Sequence, residues 1–153
     1  TTPAWTSNER LRGYEAAVKD NKDNDYSFIL ETPASVEGGS DAMERILEID
    51  KDERPDAIFA FNDPIAIGIG KVLRSENILP NEMGLVGYAA TLASEICAVP
   101  LTSVFQDSEA IGAQSARTLI DRIEKGDKTY STVRHTVKTH LIERDSSNKN
   151  STV

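Results

Sequence analysis

Short apolar runs alternate along this sequence with segments whose apolar residues recur at helical spacing. The runs predict strands at 26–30, 56–61, 83–88 and 101–105, followed by an extended strand that carries Val133, Val137 and Leu141 on one side. Helices are predicted over 7–20, from a start within 35–40, over 63–76, and from 107 or 108 to 126. Strands that alternate with helices of about 10 to 15 residues are typical of repeated βαβ units. The fold class predicted is therefore α/β, a doubly wound, mostly parallel sheet flanked by helices.

Several predicted helix ends carry capping signals. Thr6 and Glu9 have the spacing of a capping box, in which Thr6 caps the first helix and Glu9 reaches back. Asp63 is predicted to cap the third helix, because Pro64 suits the first turn that follows. Gly126 is predicted to end the helix that begins at 107 or 108.

Charge and cysteine content restrict the partners. The chain holds 25 Asp and Glu against 17 Lys and Arg, a formal net charge of -8. Affinity for nucleic acid comes largely from cationic side chains, so this chain alone is expected to bind DNA poorly. Its one cysteine, Cys97, cannot form an internal disulfide, which favours a reducing compartment. No apolar run approaches the roughly 20 residues that a membrane helix needs.

Signals for catalysis, cofactors and metals are weak. The glycines of 68–70 suggest a dinucleotide loop, but Leu73 stands at the third glycine position, and close helix packing explains them better. His135 and His140 are five residues apart in a predicted strand and point to opposite faces. The sequence therefore predicts no enzyme, no cofactor and no metal site.

A binding site is expected beyond the carboxyl ends of the strands, where doubly wound sheets bind their ligands. The residues at those positions are 31–34, 62–63 and 88–91.

Five segments, taken in order, resemble the LacI/GalR family of bacterial transcription regulators. The most specific is 55–88, in which a strand leads into Asn-Asp, a helix of small and aliphatic residues, a proline-marked turn and a strand ending in Val-Gly-Tyr. The others are SNERLRGYEAAV, PLTSVFQ, IGAQSARTLIDRIEKG and HLIERDSS. Together they cover nearly the whole chain.

The resemblance implies a type I periplasmic-binding-protein-like fold of two lobes with an effector between them. Residues 1–143 would then form a partial effector-binding domain, mainly the C-terminal lobe. Within it, 101–126 would normally cross to the N-terminal lobe, and 144–153 would be a disordered tail. The DNA-binding head is expected to be absent from this chain.

The resemblance also implies a ligand site, carried over position by position. Arg10 matches the arginine that grips the effector's oxygen atoms, and its planar donors suit such a target. Thr6, Asn62 and Gln106 match further contact positions. Ala89 stands where the family often has an acidic ligand residue, which puts a standard sugar effector in question. An aromatic platform is likewise replaced by Thr-Pro-Ala at 32–34.

Residues 92–99 form a mostly apolar connection between two strands, where a polar loop is usual. They either pack back as a short helix or form a homodimer face, and the resemblance favours the dimer. The residues expected in that face are Leu92, Ile96, Cys97 and Val99.

The function expected is effector sensing and dimerisation in a cytoplasmic LacI-type repressor. Its partners would be a small molecule, a sugar or related metabolite, a second copy of the chain, and operator DNA through the head, with no membrane. The alternative is a periplasmic sugar-binding protein of a transport system, which shares the fold. An enzyme on a doubly wound sheet is a more distant alternative.

Overall fold

In the computed structural model, the described residues are 5–21, 27–126 and 132–150. The helices are α1 Trp5–Asp20, α2 Val36–Leu47, α3 Asp63–Ser75, α4 Leu92–Ile96 and α5 Ser108–Glu124. The strands are β1 Ala57–Phe59, β2 Gly84–Ala89, β3 Thr102–Phe105 and β4 His140–Ile142, and two short 3-10 turns cover Lys51–Glu53 and Asp145–Ser147.

The strands form one sheet in the order β1-β2-β3-β4. β1 and β3 run parallel to β2 on either side of it, and β4 runs antiparallel to β3. Helices connect the parallel strands, so their carboxyl ends meet at one edge of the sheet. The predicted α/β class with a mostly parallel sheet is confirmed.

The core lies where α2 and α3 pack on each other and on the sheet. Met43 from α2 and Ala66 from α3 are completely buried, and Leu85 of β2 and Leu101 beside β3 are nearly so. Burying the methionine and leucine side chains stabilises the fold by about 1.5 to 3 kcal/mol each.

Two glycines let the backbones of α2 and α3 approach closely. A Cβ on Gly39 would collide with the carbonyl of Ile65, and one on Gly68 would collide with the carbonyl of Val36. Ser40 also donates a 3.2 Å hydrogen bond from its hydroxyl to the Gly68 carbonyl. The glycines of 68–70 therefore serve helix packing, as the sequence suggested, and lie inside α3 instead of in a phosphate-binding loop.

The starts of α2 and α5 agree with the sequence. Ser35 caps α2, its hydroxyl accepting a 3.0 Å hydrogen bond from the Gly38 amide. Asp107 caps α5 in the same way, accepting 2.8 Å from the Ala110 amide. Gly126 follows α5 with a φ of +56°, a conformation that suits glycine.

The caps predicted at Thr6 for α1 and at Asp63 for α3 are wrong. α1 begins at Trp5, so Thr6 lies inside the helix, whereas a cap residue must be non-helical. α3 is capped by Asn62, which has extended backbone and accepts a 3.0 Å hydrogen bond from the Ile65 amide. Asp63 is instead the first helical residue, and its side chain is completely buried.

The strand predicted at 26–30 is not seen in the described part of that range. Residues 27–30 have no strand hydrogen bonding, and Tyr26 lies outside the described residues. Phe28 and Leu30 pack against the core while Ile29 is 55% exposed. The apolar run that predicted a strand therefore packs partly on the core without forming a strand of the sheet.

The C-terminal predictions need three corrections. The disordered tail predicted from 144 is wrong at its start, because Asp145–Ser147 forms a 3-10 turn and Ser146 is buried. The Ser146 hydroxyl donates 2.6 Å to the Leu85 carbonyl and accepts 2.8 Å from the Thr102 amide. These bonds order a polar segment that has no apolar signal of its own, while residues 151–153 lie outside the described part.

The other two corrections concern 101–126 and the last strand. β3 pairs with β2 and β4 in this sheet instead of crossing to another lobe, whereas α5 buries no residue. The last strand is limited to His140–Ile142, and Val133 is 53% exposed outside it.

We predict that Gly68→Ala destabilises the chain by about 2 kcal/mol, because the added methyl must push α2 away from α3. The matched control is Gly112→Ala in α5, where the methyl meets nothing within 4 Å. That change is expected to stabilise by up to about 1 kcal/mol through helix propensity. Urea unfolding measures both, and equal effects of the two substitutions would contradict the proposed close approach.

Candidate functional site

Arg10 brings α1 onto the carboxyl-terminal edge of the sheet. The carbon of its guanidinium lies 3.6 Å from the centre of the Tyr88 ring and 4.5 Å from the centre of the Phe61 ring. One guanidinium nitrogen donates a 2.7 Å hydrogen bond to the Phe61 carbonyl. Tyr88 is near the end of β2 and Phe61 follows β1, so the arginine lies at the edge predicted to bind ligands.

The Arg10 guanidinium contacts two aromatic rings and a backbone carbonyl. Over 5–21, 27–126 and 132–150, no carboxylate forms an ion pair with it. A guanidinium has five N–H donors in one plane, and contacts with the ring faces leave the in-plane donors free to bind oxygen atoms. This arrangement suits a ligand that presents hydroxyl or carboxylate oxygens.

Asn62 lies at the same edge, between Phe61 and the start of α3. Its side-chain oxygen is committed to capping that helix through the Ile65 amide. The side-chain NH₂ is the group of Asn62 that suits a ligand acceptor. The sequence therefore located Asn62 correctly at a strand end but missed its structural role.

Asp63 is the residue whose role the sequence missed most completely. One carboxylate oxygen accepts hydrogen bonds from the amide and hydroxyl of Thr91, at 2.7 and 3.0 Å. The other oxygen accepts a 2.7 Å bond from the Ser103 hydroxyl. Asn and Asp are both good caps, so capping preference alone does not distinguish Asn62 from Asp63.

The turn that follows β2 has an unusual backbone. Ala89 has a φ of 116° and Ala90 a φ of 49°, where residues with a Cβ are rarely found. Such conformations cost about 1 to 3 kcal/mol each and persist only where the surroundings impose them. The Ala90 amide donates a 3.0 Å hydrogen bond to the Ser103 hydroxyl, which is itself bonded to Asp63.

The two remaining predicted contact residues are not tied to this cluster. Thr6 is exposed on α1, and Gln106 is half-buried between β3 and the Asp107 cap. Within the described residues, no hydrogen bond joins either side chain to Arg10 or Asn62. Their ligand roles, like those of Arg10, Asn62 and Ala89, stay predictions.

The predicted dimer segment does form a short helix, α4, with its apolar residues outward. Leu92 is 72% exposed and Ile96 is 74% exposed, whereas Ser94 is buried. Cys97 is half-buried, its thiol donating to the carbonyls of Ser94 and Val99 at 3.2 and 3.0 Å. Desolvation by burial raises the pKa of the Cys97 thiol, which disfavours the reactive thiolate.

A cavity of 530 Å³ lies beside α3, away from the arginine cluster. Its lining is mostly apolar and includes Leu79, Met83, Val99 and Leu101. None of Arg10, Asn62 and Tyr88 contributes to it. We favour the Arg10 edge as the ligand site, because it has convergent polar groups at the carboxyl ends of the strands.

Other functional signals are absent from the part of the chain that the structure describes. It contains no group of three or more His, Cys, Asp or Glu that could hold a metal ion. No described helix is long and apolar enough to cross a membrane.

Residues 1–147 match the family described as a periplasmic binding protein-like domain. The chain belongs to this family. The repressor PurR of Aliivibrio fischeri is 33% identical over 124 residues, which cover 80% of this chain and 37% of PurR. The regulator CelR of Thermobifida fusca is 34% identical over 140 residues, or 90% of this chain and 40% of CelR.

A solved structure of a CelR–cellobiose complex superposes with a TM-score of 0.78 at 33% identity, covering 90% of this chain and 42% of that one. The resemblance to LacI/GalR effector-binding domains is thereby confirmed for this periplasmic binding protein-like domain. The chain spans only about two fifths of the length of the curated relatives it matches.

We predict that Gly87→Ala distorts the site of this periplasmic binding protein-like domain. The new Cβ would lie 2.6 Å from a carboxylate oxygen of Asp63 and 2.8 Å from a methyl of Leu101. Overpacking of this kind destabilises by about 1 to 3 kcal/mol. Gly84→Ala on the same strand is the control, because its nearest neighbour would be 3.9 Å away. Urea unfolding should separate the two, and a neutral Gly87→Ala would rule out the crowding described here.

Proposed function

We propose that this chain is the effector-sensing part of a LacI-type transcription repressor. The observation that carries the proposal is the placement of Arg10 across Tyr88 and Phe61, at the edge where parallel sheets bind ligands. The relatives PurR and CelR are named as transcriptional regulators, which favours this function over catalysis and over transport.

The chemistry of the site favours an oxygen-rich small molecule, a sugar or a related metabolite. Arg10 supplies charge-assisted donors, Asn62 supplies an amide, and the Tyr88 ring gives an apolar wall. The related CelR structure is a complex with cellobiose, which agrees with a sugar. Thr6, Ala89 and Gln106 complete the proposed contact set.

The proposed mechanism is a shift between conformations, with no bond made or broken. A ligand that contacts the Arg10 edge favours whichever arrangement binds it better, and only by the difference in affinity. In the whole protein this shift would alter how a separate DNA-binding part meets its operator. The net charge of -8 is consistent with DNA contact through another part of the protein, and a repressor acts in the cytoplasm.

We propose further that α4 forms part of a homodimer face with Leu92, Ile96, Cys97 and Val99. Two large aliphatic side chains more than 70% exposed on one short helix indicate an interface. A two-fold axis would bring the same patch from both copies together.

We predict that Arg10→Ala in the full-length regulator abolishes the response to effector while operator binding persists. Truncating one partner of a desolvated charged contact costs about 2 to 5 kcal/mol, or a loss of affinity of about 30-fold or more. Cellobiose, glucose and ribose are the first effectors to screen, with an operator-linked reporter for the response and gel shift for DNA binding.

The control for this test is Arg12→Ala on the same helix, where Arg12 is exposed and pairs only with Glu9 among the described residues. It is expected to leave the response unchanged. A normal response from Arg10→Ala would show that Arg10 does not contact the effector.

We predict that Ile96→Asp dissociates the dimer, because it places a charge in the centre of an apolar contact. Sedimentation of the chain at micromolar concentration measures the change. Ile123→Asp on α5 is the matched control, since Ile123 is 70% exposed and equally apolar. A monomeric parent chain, or a dimer that Ile96→Asp leaves unchanged, would show that this segment is not the interface.

A further inference from the structure

The Asp63 carboxylate connects α3, the turn before α4 and β3 at the carboxyl-terminal edge of the sheet. It belongs to the start of α3, and its hydrogen bonds reach Thr91 before α4 and Ser103 in β3. We propose that Asp63 is a positioning residue that holds the turn at 89–91, in which Ala89 and Ala90 have positive φ angles, next to Tyr88 and Arg10. The functional part of this inference, that the turn borders the effector, rests on the proposed function.

The hydrogen bonds account for both oxygens of the buried carboxylate. One accepts from the Thr91 amide and hydroxyl, and the other accepts from the Ser103 hydroxyl. Within the described residues, no buried side-chain nitrogen or oxygen is left without a partner. A completely buried carboxylate is stable only with such donors, so Asp63 and the turn depend on each other.

The side chain of Thr91 bonds Asp63 instead of capping α4. Thr91 stands at the N-cap of α4, a position where its hydroxyl would normally accept a bond from the helix. Its side chain makes no capping bond and donates to Asp63 instead. The link to Asp63 therefore fixes the start of α4 as well as the turn.

The Ser103 hydroxyl extends the network to the strained residues. It donates 2.7 Å to Asp63 and accepts 3.0 Å from the Ala90 amide. Ala90 and its neighbour Ala89 both have positive φ angles, which alanine adopts only under external constraint. The chain from Asp63 through Ser103 to Ala90 supplies that constraint.

The turn matters because it directly follows Tyr88, whose ring lies against Arg10. Ala89 and Ala90 have no polar side-chain atoms, so they can offer a ligand only backbone groups and methyls. The positions of those groups depend on the φ angles of the turn. Asp63 would therefore define this wall of the site without contacting the ligand.

Ser103→Ala tests the positioning role while leaving Asp63 in place. Amide hydrogen exchange, followed residue by residue by NMR on this chain, should be about tenfold or more faster at Ala90 and Thr91. Exchange at Leu73, in the buried part of α3, should change much less. Ser115→Ala is the matched control, because Ser115 is exposed on α5 and bonds only the Ile111 carbonyl among the described residues.

Asp63→Asn provides a second test of the same network. The new NH₂ group can only donate where an oxygen had accepted, so the same local loss of protection is expected. If this variant does not fold, Ser103→Ala decides the question. Equal acceleration at Leu73 and Thr91 in Ser103→Ala, or unchanged exchange at Ala90 and Thr91, would overturn the proposal.

Ala90→Gly in the Ser103→Ala background tests whether the hydrogen bonds position the turn or only stabilise the fold. Ala90→Gly removes the penalty of the left-handed conformation, so it should restore part of the protection of Thr91 in the Ser103→Ala background. Its effect in that background should exceed its effect in the parent chain, because the two changes act on one network. Equal effects in both backgrounds would count against the proposed link.

Titration of cellobiose and glucose into the full-length parent and Ser103→Ala proteins connects the turn to binding. If the parent binds a sugar, Ser103→Ala should weaken it, and unchanged affinity would overturn the positioning of the ligand wall. If the parent binds neither sugar, the proposed sugar class fails, while the exchange data still decide whether Asp63 holds the turn.

Discussion

The hydrogen bonding of the buried Asp63 carboxylate is the interaction on which the carboxyl-terminal edge of the sheet depends. A charge removed from water is costly unless hydrogen bonds replace its hydration, and here three donors from two other elements do so. Since those donors come from Thr91 and Ser103, α3, the β2–α4 turn and β3 must keep their relative positions. Gly87 belongs to the same arrangement, because a side chain there would occupy the space that Asp63 needs.

The apolar surface of the domain is divided between a closed core and exposed helices. α2 and α3 bury their apolar faces at glycine contacts that bring backbone against backbone. α4 and α5 instead expose large aliphatic side chains, among them Ile96 and Leu119. Exposed apolar patches are usual at protein interfaces, and of these two helices α4 is the one proposed above for the homodimer face.

The Arg10 side chain connects α1 to two residues that are distant in the sequence. Its place on α1 follows from helical periodicity, but its partners are Phe61 and Tyr88, more than 50 residues away. The two rings cover the guanidinium and the Phe61 carbonyl orients it, so the remaining donors are presented at the strand ends. Preorganisation of this kind lowers the side-chain entropy that the protein would lose when a ligand binds.

The sequence by itself determined the alternation of strands and helices, the starts of α2 and α5, and the edge of the sheet at which ligands are expected. These features follow from periodicity and capping residues, which act within a few positions of the chain. Only the tertiary structure decided that Asn62 caps α3 while Asp63 is buried, that Ser146 orders the segment predicted to be disordered, and that Ala89 and Ala90 are left-handed. The burial of Asp63, the order at Ser146 and the conformation of Ala90 depend on hydrogen bonds between residues 13 to 61 positions apart, for which a local pattern carries no signal.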